Sequence, residues 1–103
     1  MLDSGRYLYA GFMAQQCAEK ALKAVIEEGQ GRPPKIHDLT ALSERAELPS
    51  ELFRKVGDLD QYYIATRYPG DKARLEAVTD DKKAKELLET AGEVLEWAKK
   101  RLT

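Results

Sequence analysis

Apolar residues recur along this chain at helical spacing, and no stretch alternates convincingly with the two-residue period of a strand. From about Ser4 to Glu28, Leu8, Gly11, Gln15, Ala18, Leu22 and Val25 form one stripe, widened by Ala14, Ala21 and Ile26. Gln16, Glu19, Lys20, Lys23 and Glu27 fall opposite it, with Glu19 and Lys23 placed for an i,i+4 pair. Gly29 signals a stop, and "GQGRPPK" reads as a loop. A short second helix, about His37 to Glu47, aligns Ile36, Leu39, Leu42 and Ala46, with Asp38 in its first turn. A third starts near "LPSE", carries Leu52, Val56, Leu59 and Tyr63 with Phe53 beside them, and ends at or before Tyr68, which precedes Pro69. The segment "PGDKARLEAV" crosses to a last helix that opens at Thr79 as N-cap. There Ala84, Leu87, Leu88, Ala91, Leu95, Ala98 and Leu102 form the apolar face, and Lys99, Lys100 and Arg101 suit the C-terminal end. The expectation is an all-α, up-and-down bundle of four helices.

Length and charge narrow the function. One domain spanning residues 1–103 suits the size, and 17 basic against 18 acidic residues leave a net charge of −1. Wholesale nucleic-acid binding usually shows as a basic surplus, so only a local patch is open. One cysteine, Cys17, excludes an intrachain disulfide, and with one histidine as well no zinc site or other metal cofactor is expected. The chain has no apolar run near the ~20 residues of a membrane span, and "MLDSGRY" lacks signal-peptide character, so a soluble cytoplasmic protein is expected.

Few residues carry chemistry. Cys17 and Trp97 read as packed side chains. Gln15 interrupts an apolar stripe, which makes it half-exposed or buried with partners for its amide. His37 is the sole side chain that titrates near neutrality, and Arg32 precedes it across "RPPKIH", an R-x4-6-H spacing filled by two prolines. That pair is a candidate acid–base couple, and the simpler reading has His37 serving the helix start. Asp60, Tyr63 and Arg67 project to one side of the third helix at i, i+3 and i+7. They form either a salt-bridged packing face or an anion site, because Arg grips phosphate with two parallel hydrogen bonds and Tyr can stack on a base. Lys72 and Arg74 follow closely and would add to a positive patch.

Three blocks together, "AGFMAQQCAEKALKAVI", "PPKIHDL" and "YYIATRYPGD", resemble the HEPN (higher eukaryotes and prokaryotes nucleotide-binding) family in order and spacing. The resemblance implies a helical bundle, usually a homodimer, often encoded beside a minimal nucleotidyltransferase and acting with it as a two-component, toxin–antitoxin-like pair. Many relatives are metal-independent ribonucleases using R-x4-6-H near a helix end. The arginine that corresponds here is Arg67, and the positions open to its histidine hold Lys72, Ala73 and Arg74. The imidazole for general acid–base chemistry is therefore missing at that site. The family also usually begins with a further helix ahead of "LDSGRY", so the first family helix is expected to be missing or truncated. These departures imply a non-catalytic nucleotide- or RNA-binding partner, with Arg67, Tyr63, Asp60, Lys72 and Arg74 as ligand contacts. The alternatives are a ribonuclease toxin using Arg32 and His37, and a purely structural helical adaptor.

Overall fold

The computed structural model describes residues 4–65 and 68–102. Among them are five helices and no strand: α1 (Ser4–Gln30), α2 (Leu39–Ala46), α3 (Ser50–Ala65), α4 (Pro69–Val78) and α5 (Asp81–Leu102). At 1.5 Å per residue α1 runs ~40 Å, the length of a molecule that measures 44 × 24 × 18 Å. It packs most extensively on α5 and also meets α2, α3 and α4, so every other helix is built against it. Its stripe is buried as the spacing predicts, from Leu8 through Ala14, Ala18 and Leu22 to Ile26. Alanines on α5 (Ala84, Ala91 and Ala98) are buried likewise, and such small side chains let two backbones approach closely.

The architecture is the all-α bundle expected, with differences that have local causes. The crossing segment is itself a helix, α4. Pro69 occupies its first turn, where a missing N–H costs nothing, and Tyr68 is its N-cap, in keeping with an α3 that ends before the Tyr68–Pro69 step. Thr79 closes α4 instead of opening α5; its N–H donates to the Leu75 carbonyl, while Asp80 accepts from the Lys83 N–H at the head of α5. On α5 the buried stripe is rotated: Val94 is in the core, and Leu88, Leu95 and Leu102 are exposed. On α3 the residue facing the core is Tyr62, not Tyr63.

Tyr62 is the largest fully buried side chain, and a glycine makes room for it. A β-carbon added at Gly11 would lie 2.5 Å from Tyr62 Cδ1, so only a bare backbone lets the ring lie against α1. The phenol reaches past the core to Thr79, its hydroxyl 2.6 Å from Thr79 Oγ1, which satisfies two buried polar groups at the α4–α5 corner.

Candidate functional site

Two consecutive prolines hold "RPPKIHD" out of any helix, and the chain turns into α2 only at Asp38. Asp38 caps that helix, Oδ1 accepting from Thr40 N (2.9 Å) and Ala41 N (3.3 Å). Asp60, one level across on α3, accepts from Leu39 N at 2.8 Å and so ties the start of α2 to α3. Burial, then the negative charge of Asp38 beside it, push the Asp60 carboxyl above its ordinary range, against the lowering pull of the Leu39 N–H.

Behind this corner lies Glu19. The sequence pattern assigns it to the polar face of α1, yet it is buried, with Gln15 fully enclosed one turn before it. Gln15 Nε2 donates to Glu19 Oε1 (3.1 Å), and Lys23 Nζ (3.0 Å) and His37 Nδ1 (2.8 Å) both reach Oε2. Burial pushes the Glu19 carboxyl upward, but the hydrogen bonds from Lys23, Gln15 and His37 together outweigh it and hold it below the usual range. An ionised carboxylate only accepts, so His37 donates to it from Nδ1. Gln15 also reaches the His37 carbonyl, at 3.4 Å. The Gln15 question therefore closes on the buried, partnered side.

The His37 ring stacks on Tyr63 of α3, centroids 4.3 Å apart and planes 20° from parallel. These two rings, with Ile36, Asp38, Gly57, Asp60 and Gln61, line an open groove of about 740 Å³, within the range of small-molecule sites. The structure thus brings His37, nominated with Arg32, together with Tyr63 and Asp60, nominated with Arg67. Arg32 does not line the groove, so the Arg32–His37 couple is not assembled there. Lys72 lines a different groove with Leu8, Tyr9 and Phe12, and Arg74 pairs loosely with Asp71 at 3.5 Å on the surface of α4. Arg67 lies outside the described residues. Among the described residues no cluster of His, Cys, Asp or Glu is placed to hold a metal, and no helix is long and apolar enough to cross a membrane.

A family model for the HEPN domain matches residues 1–102. The chain belongs to the HEPN family. No curated protein and no solved structure matches it. In this HEPN domain the "KIHDL" block is the piece that joins α1, α2 and α3: its histidine is held from α1 and stacked from α3, and its aspartate caps α2. Glu19 is the residue that sequence reasoning missed. A usable signal existed, since Gln15 and Glu19 stand one helical turn apart and Gln15 already interrupts the stripe. A polar residue in a core needs a partner, and the next turn supplies one.

Proposed function

We propose that this HEPN domain is a nucleotide- or RNA-binding partner of a minimal nucleotidyltransferase, acting in the cytoplasm as a homodimer within a two-component, toxin–antitoxin-like pair and catalysing nothing alone. The observation that carries the binding half of this reading is the groove, with a stacked His37–Tyr63 wall against which a base can lie. The non-catalytic half rests on Lys72, Ala73 and Arg74 standing where the family's histidine would follow Arg67. Arg67 is proposed as the phosphate contact, because its planar fork suits two oxygens and a lysine's point charge does not. Arg67→Ala is then expected to weaken nucleotide or RNA binding by about 1.5–3 kcal/mol, the range for hydrogen bonds to charged groups, with a smaller loss of thermal stability. Titration calorimetry beside thermal melts checks it. Unfolding, or loss of the dimer with normal binding in the protein that survives, would make Arg67 structural.

One observation favours a second reading, a ribonuclease. The Glu19–His37 contact orients an imidazole as carboxylate–histidine pairs do in acid–base catalysis. Purified protein is expected not to cleave single-stranded RNA above a mock preparation. Cleavage that vanishes in His37→Ala would promote the nuclease.

A further inference from the structure

The chemistry of the groove selects among bases. Asp38 and Asp60 both line it, and each has spent one oxygen on the start of α2: Asp38 Oδ1 on Thr40 and Ala41, Asp60 Oδ1 on Leu39. Among the described residues neither carboxylate forms an ion pair with a cation. The Thr40 N–H also reaches Asp60, and the Asp38 and Asp60 carboxyls stand within hydrogen-bonding reach of each other, so a ligand meets the remaining lone pairs of the two together; a carboxylate accepts without donating. A phosphate brought to this wall would meet like charge. The wall instead suits a planar group that presents two adjacent N–H donors while its face rests on an outer side of the stacked His37–Tyr63 pair.

Among the four bases one edge has that pattern. Guanine offers N1–H and the 2-amino group side by side. Adenine and cytosine each set one amino donor beside a ring-nitrogen acceptor, which would face the carboxylate lone pairs. Uracil flanks its single N–H with two carbonyls. Building on the reading of the groove as a nucleotide site, we propose that it is a guanine pocket, with Asp60 and Asp38 accepting from the N1–H and 2-amino edge through one oxygen each, the base lying on the His37–Tyr63 wall and the phosphate directed out of the groove.

Gly57 supplies a blocking variant that spares the fold. It lines the groove, and a β-carbon there would meet nothing within 4 Å, so the side chain of Gly57→Leu starts from open space and extends into the groove. Asp60→Asn keeps an oxygen for Leu39 N while removing the carboxylate. Titration calorimetry on the full chain would use GMP, IMP (which lacks the 2-amino group), AMP, CMP and UMP, with arginine amide as a donor-rich cation that is not a base. The expected result is GMP at least about tenfold tighter than AMP, CMP and UMP, as one well-placed bidentate contact provides, with IMP between. Asp60→Asn should remove that preference and Gly57→Leu should abolish binding, both with circular dichroism unchanged. Equal affinity for all five nucleotides, or IMP equal to GMP, would overturn the guanine pocket and leave the nucleotide site standing. GMP binding untouched by both variants would place any nucleotide site elsewhere and overturn the proposal too. Arginine amide binding with no nucleotide binding would make the groove a seat for a partner's arginine and overturn both readings.

Discussion

Glu19 shows how much one side chain can organise. It receives donors from Gln15, Lys23 and His37, and through His37 it fixes the ring that walls the groove. Glu19→Ala strands those donors. Hydrogen bonds to charged groups contribute about 1.5–3 kcal/mol, but Lys23 and His37 are partly open to solvent, which screens their share. The expected loss is about 2 kcal/mol, read as a lowered denaturant midpoint with unchanged slope. The sign of the pH effect follows from the direction of the shift. Because the folded carboxyl titrates below its ordinary 4.5, ionised Glu19 contributes stability above that pH. That contribution is lost as the pH falls through the lowered folded value. Asp60 works the other way: its raised folded pKa makes the ionised form costly at neutral pH, and acidification through that value relieves the cost. Thermal melts across the acid range should therefore show a flatter decline for Glu19→Gln and a steeper one for Asp60→Asn than for the parent protein.

At the level of helices, two glycines on the bundle predict opposite outcomes for the same substitution. Gly11→Ala drives a β-carbon into the buried Tyr62 ring, whose hydroxyl is anchored on Thr79, so the ring cannot simply swing away. Overpacking of that kind costs about 1–3 kcal/mol, offset by the ~1 kcal/mol that alanine gains over glycine in a helix. Gly92→Ala on the exposed side of α5 meets nothing within 4 Å and keeps only the gain, up to about 1 kcal/mol. Urea unfolding of the two variants in parallel is the check, and a stabilised Gly11→Ala would mean the ring is not held as described. The same contrast explains what the sequence could say about the elements. α1 announces itself because a long stripe is buried along it. α4 does not, since Leu75 is its one buried residue among those described and a single apolar position carries no period. On α5, Leu88, Leu95 and Leu102 suggest one stripe and Ala84, Ala91, Val94 and Ala98 another; the structure buries the smaller one because a small-residue face fits closest to α1. For the groove, the i, i+3 spacing already pairs Asp60 with Tyr63, while His37 is nominated apart from them. The joining of His37 to Glu19 and to Tyr63 depends on contacts between residues 18 apart and more, which no local spacing encodes.

The whole molecule leaves large apolar side chains outside: Tyr9 and Met13 on α1, and Leu88, Leu95 and Leu102 on α5. Together with the family resemblance they support the homodimer proposed above, for which burial of about 800 Å² per partner is usual. Sedimentation at micromolar concentration is expected to return twice the 11.6 kDa chain mass, and a single-chain mass with undiminished helicity on dilution would count against it. The seam between α1 and α5 has a consequence of another kind, in time. Of the five helices, the one made first is the one on which all the others are built, and its principal neighbour is the one made last. Until α5 emerges, the buried face of α1 from Ala14 to Ile26 has only partial cover from α2, α3 and α4. A domain folds as a unit, and contacts between segments far apart in sequence carry the larger loop-closure cost. Translation therefore leaves an apolar, helix-prone segment waiting for α5, and during that interval this domain is most exposed to chaperones, to proteases and to other copies of itself.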